Sequence, residues 1–574
     1  MVPDVSGIDK VFDYLVPDSL AAAVSPGMRV RVVLNNRKVS GWVVRVESRS
    51  DTTVDGLSFD KLSLVTAVSG PGVEPDVVAV TRWASEEFLG SWRSMLSRAS
   101  APRVRERVAH PNLSVAGVAE GPVAGGASGL AAAGGGLLVV PPCDSVLPAV
   151  QALAHSGPVL VVCPTQRMAA LGAAALRRRG LTTAVVPDEW DAARAGVNVV
   201  IGARSAVFAP CRDMSSIVVI DEHDELHHDE RSPAWNSVDV AEERARRLGV
   251  PCILTSAVPS AGALHRHRDS MVVASSAGGW PAFVIEDLNE VPVARSLLTS
   301  SLLDAVSGSR GTTLCVLNTK GRAKIVVCRS CRALQTCGEC SSALTIDDDG
   351  HLRCDKCGVD RGSVCTACGR TAFTVPRGGV AHLVAQVQRS TGRSVVEVTA
   401  DTDDSWPAGA VFVGTEAVLH RIPQAETVVF ADIDRDLNAP RVTASREVAS
   451  LLVRAARVVG GSGCVVVQTR TPDHPLLRAV SSGSVHEQLM EWNRADIATR
   501  ETFSFPPFGV LARVSLAEGE SFGDMPDVSP VRAAVHDGEA LLSAGSRDAM
   551  REAVNMLRLR YGSSLRVHAD PTRY

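Results

Sequence analysis

Eight of the fourteen cysteines lie between residues 328 and 368, and they form four CxxC pairs. Their spacing is CxxC-x5-CxxC-x13-CxxC-x7-CxxC. Each pair can place two thiolates on one ion, and a closed structural zinc site requires four thiolates in a tetrahedron. Free or disulfide-bonded cysteines are the alternative, but clustered pairs without a secretory signal favour metal in a reducing compartment. The spacing therefore predicts two zinc ions per chain.

The chain length between the pairs indicates which cysteines share an ion. Thirteen residues separate the second and third pairs, close to the span of a zinc-ribbon hairpin, and the first and fourth pairs flank that hairpin. We therefore predict nested sites, with His351 on the surface of the hairpin. The predicted ligands are Cys328, Cys331, Cys365 and Cys368 for the first zinc, and Cys337, Cys340, Cys354 and Cys357 for the second.

A second candidate for chemistry is the stretch SSIVVIDEHDELHH at 215–228, in which apolar residues run directly into Asp221 and Glu222. NTP-hydrolysing enzymes end a buried strand in this way, with one carboxylate for magnesium and another that orients the attacking water. The alternative is that the two carboxylates only cap the end of a strand. We expect His227 and His228 to be surface residues.

Composition restricts the class of protein. At 574 residues the chain should form three or four domains, and 45% apolar with 21% charged residues indicates folded rather than disordered domains. A formal charge of −4 offers no global basic field, so a DNA-binding surface would have to be local. The start of the chain lacks the pattern of a signal peptide, and we expect a soluble cytoplasmic protein that binds no membrane.

The pattern of apolar residues predicts an α/β protein with several domains. MRVRVVL at 28–34 and SGWVVRV at 40–46 alternate like the strands of an antiparallel hairpin, with a turn at 35–38. From residue 137 and again from residue 312, short unbroken apolar strands alternate with helical stretches, as in parallel sheets covered on both faces. Two parallel α/β lobes are therefore predicted, with the cysteines inserted into the second.

These patterns give a predicted domain order. The ranges are 1–110 for an N-terminal domain with a helical extension, 111–136 for a glycine-rich linker, 137–295 for lobe 1, 296–327 and 370–494 for lobe 2, 328–369 for the zinc insert, and 495–574 for a small α+β C-terminal domain.

Several stretches in this order resemble the PriA family of replication-restart proteins. They are FDYLVP at 12–17, PGMRVRV at 26–32, IGARSAVFAP at 201–210, the eight-cysteine insert, VGTEAVLH at 413–420, VVVQTRTPDHP at 465–475 and FPPFG at 505–509. The resemblance implies two RecA-like helicase-type lobes, a small β-rich N-terminal DNA-binding domain, a double-zinc insert in lobe 2 and a small α+β C-terminal domain.

The resemblance also implies a function and a binding site. It implies a replication restart protein that binds DNA at stalled or abandoned forks and nucleates primosome assembly with other replication proteins. It places Phe12, Asp13 and Tyr14 at a pocket for the 3′ end of a nascent strand, although these residues could instead pack the core of their own domain. Two alternatives stay open, namely an active ATP-dependent 3′–5′ DNA helicase and a zinc-ribbon nucleic-acid-binding module.

The sequence departs from the family where nucleotide would bind. Helicases of the family carry a GxxxxGK[ST] phosphate loop on the first strand of lobe 1, whereas residues 137–150 read LLVVPPCDSVLPAV and the dipeptide Gly-Lys occurs nowhere in the chain. RAARVVGG at 454–461 replaces an arginine-rich QVAGRAGR element. These departures predict that the chain is not an enzyme, that it does not use ATP or magnesium, and that Asp221 and Glu222 are remnants.

Overall fold

The computed structural model describes most of the chain. The described residues are 1–48, 53–54, 57–58, 62–101, 110–114, 117, 119–274, 279–290, 299–308, 311–318, 326–339, 342–347, 350–355, 357–375, 380–399, 402, 406–407, 409–439, 441–517, 520–522, 527–536 and 538–571.

The N-terminal domain is built on an antiparallel sheet with the order β1-β3-β2-β6. Val30 and Val32 in its central strand are fully buried while Arg31 between them is exposed, as the alternating sequence predicts. The strands are β1 (Val2–Pro3), β2 (Met28–Leu34), β3 (Arg37–Trp42), β4 (Thr53–Val54), β5 (Leu57–Ser58) and β6 (Val65–Pro71). Helices α1 (Pro75–Glu87) and α2 (Trp92–Ala99) follow.

The turn of the β2–β3 hairpin is shorter than predicted. Asn35 and Asn36 form a two-residue turn with φ angles of 48° and 63°, and Leu34 pairs directly with Arg37. Two central residues with positive φ make a type I′ turn, whose twist matches that of the flanking strands. The predicted turn at 35–38 was therefore too long, because Arg37 and Lys38 already belong to β3.

Lobe 1 contains a seven-stranded parallel sheet with the order β15-β7-β14-β11-β8-β10-β9. All four residues of β8, of β10 and of β11 are buried, which explains their unbroken apolar sequences. In chain order the elements are α3 (Pro122–Ala132), β7 (Gly135–Val139), α4 (Leu147–Ala154), β8 (Val159–Val162), α5 (Gln166–Arg178), β9 (Thr183–Val186), α6 (Trp190–Ala195), β10 (Val199–Gly202), β11 (Ser216–Val219), β12 (His228–Asp229), β13 (Trp235–Asn236), α7 (Ser237–Leu248), β14 (Cys252–Ser256), α8 (Ala261–Arg266) and β15 (Met271–Val273).

Helix α3 corrects the predicted linker at 111–136. Pro122 occupies the first turn of the helix, where its missing N–H costs nothing, and the alanines that follow favour helix. Ala124, Ala127 and Leu130 are buried, and the helix packs against β7 and α4. The glycine content of this stretch suggested a flexible linker. Burial of one face of the helix stabilises it by more than the low helix propensity of its glycines destabilises it.

Lobe 2 contains a six-stranded parallel sheet with the order β16-β26-β25-β17-β24-β23. Its elements are β16 (Ala282–Asp287), α9 (Ser300–Gly308), β17 (Thr313–Val316), α10 (Val380–Thr391), β23 (Val395–Val398), β24 (Val411–Gly414), α11 (Ala417–Arg421), β25 (Thr427–Phe430), α12 (Asp434–Leu437), α13 (Ala444–Val459), β26 (Cys464–Thr469), α14 (Pro475–Val480) and α15 (Val485–Thr502). Within its described residues, the insert between β17 and α10 carries the short strands β18 (Val327–Cys328), β19 (Thr345–Ile346), β20 (Leu352–Arg353), β21 (Asp360–Arg361) and β22 (Phe373–Thr374).

The structure moves the predicted boundary between the lobes. Strand β16 lies inside the range 137–295 that was predicted for lobe 1, yet all six of its residues pair with β26 of lobe 2. Its half-buried, charged sequence AFVIED has the character of an edge strand rather than of a central one. The sequence therefore placed the start of lobe 2 too late.

The C-terminal domain is a four-stranded antiparallel sheet with the order β28-β29-β27-β30, covered by one helix. Its elements are β27 (Val510–Ser515), β28 (Arg532–His536), β29 (Glu539–Ala544), α16 (Arg547–Tyr561) and β30 (Arg566–Ala569). Met550, Ala553, Val554 and Leu557 form the buried stripe of α16.

Taken together, two parallel sheets and two smaller β-rich domains confirm the predicted α/β class. Within the described ranges, none of the helices combines the length and apolar composition needed to cross a lipid bilayer.

Candidate functional site

A cavity of about 740 Å³ lies in the N-terminal domain, and Phe12, Asp13 and Tyr14 contribute to its wall. Backbone hydrogen bonds hold this segment, since the Leu15 N–H donates to Ser63 O and the Val65 N–H donates to Leu15 O. The segment is thereby fixed beside the start of β6. The three residues that the resemblance singled out thus lie together at one cavity.

The three side chains differ in exposure. Asp13 is exposed, whereas Phe12 and Tyr14 are half-buried, and Tyr14 also packs against the core of the domain. The Tyr14 hydroxyl is protonated at neutral pH, as in any tyrosine, and burial raises its pKa further, so it can donate a hydrogen bond. The cavity therefore offers an apolar wall, a carboxylate acceptor and a hydroxyl donor.

Two further residues of the cavity were missed by the sequence analysis. Arg45 lines it and forms an exposed ion pair with Glu47, 3.1 Å apart. Trp92 lines it from the first position of α2, with its backbone N–H on Asp9 Oδ2 at 3.2 Å and its indole N–H on Thr81 Oγ1 at 3.1 Å. In the sequence, Trp92 after Ser91 indicates no more than the start of a helix. No local pattern connects it to Phe12, which is 80 positions earlier in the chain.

The first and fourth CxxC pairs meet in the insert. Their four sulfur atoms lie within 4.8 Å of one another, with Sγ–Sγ distances of 3.6 Å for Cys328–Cys368 and for Cys331–Cys365. We call these four residues the outer cluster. This arrangement matches the pairing that the spacing predicts for the first zinc site, and the described sulfurs are close enough to share one ion.

The second and third pairs form a separate group, the inner cluster, of Cys337, Cys354 and Cys357. The sulfur atoms of Cys337 and Cys357 are 3.5 Å apart. Cys340, the fourth ligand predicted here, lies outside the described residues. His351 is exposed on the β19–β20 hairpin, where its backbone N–H donates to Asp347 Oδ1, and it does not belong to either cluster among the described residues.

The first cysteines of the four CxxC pairs share one backbone hydrogen bond. In each, the N–H of the first cysteine donates to the carbonyl five residues later, which joins Cys328 to Ala333, Cys337 to Ser342, Cys354 to Val359 and Cys365 to Arg370. In the first, third and fourth pairs, where the residue after the second cysteine is described, that residue has positive φ, at Arg332, Gly358 and Gly369. Such turns direct backbone N–H groups at the first sulfur.

Those N–H groups favour the thiolate form. Burial on its own would raise the pKa of the Cys365 thiol, but hydrogen bonds from the N–H groups of Ala367 and Cys368 outweigh it and lower the pKa to about 6. Since the thiolate is the form that binds metal, the turn prepares this sulfur as a ligand.

Asp221 and Glu222 lie buried at the carboxyl end of β11, with 1% and 5% exposure. The backbone of both residues is hydrogen-bonded to β14, since the Glu222 N–H donates to Thr255 O and the Asp221 N–H donates to Thr255 Oγ1. Glu222 also accepts hydrogen bonds from the N–H of Ser260 at 2.8 Å and from its hydroxyl at 2.7 Å. Parallel neighbours bring the two strand ends to one edge of the sheet.

The two histidines of this stretch were predicted at the surface, and His227 is instead buried with 1% exposure. Its ring bonds Ser237 Oγ and Ile220 O, each at 2.8 Å, and burial lowers its pKa. His228 is half-buried. A histidine with partners on both ring nitrogens can lie in a core, and the sequence did not reveal those partners.

The N-terminal domain matches a known family. Residues 2–101 fit the family model of the 3′DNA-binding domain (3′BD) of PriA. This range contains the cavity residues 12–14, Arg45 and Trp92.

Relatives match over a longer range. The chain is 26% identical over 359 residues to replication restart protein PriA of Thermotoga maritima, covering 57% of this chain and 47% of that protein. It is 26% identical to PriA of Haemophilus influenzae (57% and 48%) and 27% identical to PriA of Treponema pallidum (55% and 51%). The chain thus spans about half the length of the curated relatives it matches.

Among solved structures, a Saccharomyces cerevisiae Dbp5 variant bound to RNA and ADP BeF3 aligns with a TM-score of 0.36 and 9% identity, covering 74% of this chain and 98% of that one. A DEAD box protein from Methanococcus jannaschii aligns with a TM-score of 0.30 and 9% identity, covering 63% of this chain and 86% of that one.

These comparisons overturn the prediction that the chain is not an enzyme. The curated relatives that the chain matches are replication restart proteins PriA, a group of DNA helicases, and this similarity conflicts with a non-enzymatic assignment. The prediction rested on the residues of a few nucleotide contacts, whereas the similarity to the first of these relatives extends over 359 residues. Residues 2–101 thus match the 3′DNA-binding domain of PriA, and over more than half of its length the chain is similar to replication restart proteins PriA.

Proposed function

We propose that the chain binds DNA at stalled or abandoned replication forks, and that the N-terminal cavity receives the 3′ end of a nascent strand. One observation carries the proposal. The residues that match a 3′DNA-binding domain enclose a cavity with Phe12, Asp13 and Tyr14 in its wall.

The chemistry of the cavity suits a strand end. Phe12 offers a ring face for stacking on a terminal base, a contact worth about 1–3 kcal/mol per base. The Asp13 carboxylate can accept a hydrogen bond from a free 3′-hydroxyl, and Arg45 at the same cavity can contact a backbone phosphate. A terminal phosphate would instead bring negative charge towards Asp13.

The test compares forks whose nascent strand ends in a 3′-hydroxyl or in a 3′-phosphate, by fluorescence anisotropy at fixed salt. We expect the hydroxyl end to bind roughly tenfold more tightly, since a hydrogen bond to a charged group contributes about 1.5–3 kcal/mol. Asp13→Asn should reduce this preference, because it removes the charge that repels the phosphate.

Asp18→Asn is the matched control, since Asp18 is also exposed but does not line the cavity. It should retain the preference of the wild-type protein. Equal affinity of the wild-type protein for the two ends would contradict the assignment of the cavity.

We also propose that the fork-bound protein nucleates primosome assembly with other replication proteins. The support is the relation to replication restart proteins. In an extract depleted of this protein, adding it back should restore DNA synthesis on a forked template. Restoration by an Asp13→Asn, Phe12→Ala double variant at wild-type level would argue against a role of the cavity in that process.

We further propose that the outer and inner clusters each hold one structural zinc. The fit rests on the sulfur separations, on the repeated N–H-donating turn and on thiolate ligands, which zinc prefers. Cys340 would complete the inner cluster. Bound zinc would cross-link the strands of the insert, and metal analysis should return two zinc ions per chain. One zinc or none would refute this proposal.

A second candidate function is ATP-dependent 3′–5′ DNA unwinding. The observation that favours it is the buried pair Asp221 and Glu222 at the end of a central strand, with Glu222 joined to Ser260 of the neighbouring connection. Residues 137–150 contain no lysine or glycine, so other groups would have to hold the phosphates. ATP turnover that single-stranded DNA stimulates and Glu222→Gln abolishes would establish it, and turnover at background would exclude it.

A further inference from the structure

Gln335 lies between the two cysteine clusters and is fully buried, with 0% exposure. Its backbone N–H donates to Val326 O at 2.9 Å, and its carbonyl accepts from the Leu344 N–H at 2.9 Å. It therefore joins the chain entering the first CxxC pair to the start of the hairpin. A buried amide side chain needs hydrogen-bond partners, and those partners identify its role.

The side-chain amide of Gln335 contacts a cysteine of the outer cluster. Its Nε2 group donates to Ala333 O at 2.8 Å and to Cys365 Sγ at 3.4 Å. An amide nitrogen has two hydrogens, so one can point at the carbonyl and the other at the sulfur. Gln335 thus supplies an N–H···S hydrogen bond from a side chain, in addition to those from the backbone turn.

Arg361 determines which end of the amide faces the sulfur. Its Nη2 donates to Gln335 Oε1 at 3.0 Å and to Val364 O at 3.0 Å, and its Nη1 donates to Thr336 O at 3.3 Å. Because a guanidinium only donates, the amide oxygen must face it and the amide nitrogen must face Cys365.

We propose that Gln335, oriented by Arg361, is a positioning residue of the outer cluster that stabilises metal-bound Cys365 through an N–H···S hydrogen bond. The inference rests on the proposed zinc binding. Four thiolates on one zinc carry excess negative charge, and a donor to sulfur reduces that charge and fixes the direction of the ligand. Loss of such an outer partner typically costs 10–100-fold in metal affinity.

The test measures zinc release from the full chain to a chromogenic chelator. Wild-type protein should release two equivalents. Gln335→Met, which is similar in length and lacks the donor, should release one equivalent about 10–100-fold faster and leave the other unchanged. Cobalt-substituted protein gives a second readout, since the sulfur-to-cobalt absorption of one site, and not of both, should shift in the variant.

Two further variants complete the design. Arg361→Leu keeps Gln335 and every cysteine but frees the amide to rotate, so it should also accelerate release of one equivalent; this variant decides the question if Gln335→Met does not fold. Gln388→Met, at an exposed position of α10, is the matched control and should behave as wild type.

The outcomes separate the inference from the zinc proposal. Wild-type protein that contains no zinc would overturn both. Wild-type protein with two zinc ions, together with folded Gln335→Met and Arg361→Leu variants that release both at wild-type rates, would overturn the role of Gln335 alone.

Discussion

At the scale of single residues, Asp229 shows how a buried carboxylate is stabilised in lobe 1. It is 4% exposed and lies eight positions beyond Asp221. Arg98 of α2 lies 3.0 Å from it, Arg231 3.2 Å and Arg204 3.5 Å. Burial opposes ionisation of Asp229, but hydrogen bonds from Arg231 and the charges of Arg204 and Arg98 outweigh it and lower its pKa.

Asp229→Asn should therefore destabilise the protein at neutral pH by roughly 3 kcal/mol, the low end for a broken buried ion pair, because the arginines are partly exposed. The folded-state pKa lies below the unfolded value of about 4, so this contribution is complete above that value and is lost as the pH falls through the folded pKa. Urea unfolding of both proteins between pH 3 and pH 7 measures it. A difference in stability that does not shrink in acid would contradict the ion-pair account.

At the scale of elements, the β2–β3 hairpin depends on its two-residue turn. Asn36 has a φ of 63°, a value that asparagine tolerates and glycine adopts freely, while a β-branched residue is strained there. The Asn-Gly pair is also the preferred sequence of a type I′ turn.

Asn36→Gly should leave thermal stability unchanged or slightly raised, and Asn36→Val should lower the free energy of unfolding by about 1–2 kcal/mol. Neither residue 35 nor residue 36 lines the cavity, so binding of a 3′ end by folded Asn36→Val protein should equal that of wild type. Differential scanning fluorimetry measures the stability of the variants, and fluorescence anisotropy measures their binding of a 3′ end. A stabilising valine would show that the turn adopts another conformation in solution.

Helix α2 has a functional contact at its start and a structural contact at its end. Trp92 at its start lines the cavity, and Arg98 in its last turn bonds Asp229 of lobe 1. Trp92→Ala should weaken binding of the 3′ end by at least tenfold, since it removes a large apolar wall. Arg82→Ala, which removes a cation stacked on the same ring without opening the cavity wall, is the control and should weaken binding less.

At the scale of the whole molecule, the insert and lobe 2 have separate hydrophobic cores. The core of the insert comprises Val326, Cys328, Cys337, Leu344, Leu352, Cys354, Cys365 and Phe373, half of them cysteines. The core of lobe 2 consists of aliphatic side chains together with Cys315 and shares none of these residues. A core this small stabilises a fold weakly by apolar burial, and the proposed zinc ions would add about 10–16 kcal/mol of apparent binding free energy each.

Removal of metal, or the change Cys354→Ser, should therefore unfold the insert while both parallel sheets persist. Hydrogen exchange should accelerate in 326–339 and 350–375 and stay slow in β11 and β17. Equal loss of protection in the insert and in β17 would show that lobe 2 depends on the insert for its fold.

The sequence alone determined those features that depend on local composition and period. Eight cysteines in CxxC pairs indicate metal binding by residue type alone. The length of chain between the pairs restricts which cysteines can share an ion. The unbroken apolar runs identified the central parallel strands, because such strands are buried on both faces. Asp221 and Glu222 could be placed at the end of a strand because they directly follow one of these apolar runs.

Only the tertiary structure decided which distant residues become neighbours. Strand β16 pairs with β26, although some 180 residues separate them, and an edge strand carries no strong apolar signal. Trp92 reaches the cavity of Phe12, Arg98 reaches Asp229, and Gln335 reaches Cys365 because of strand order and helix packing. Local sequence patterns show which face of a helix or strand is buried. They do not show which residues of other elements pack against that face, because this depends on how the elements are arranged in three dimensions. Hydrogen bonds and ion pairs between distant residues depend on the same arrangement.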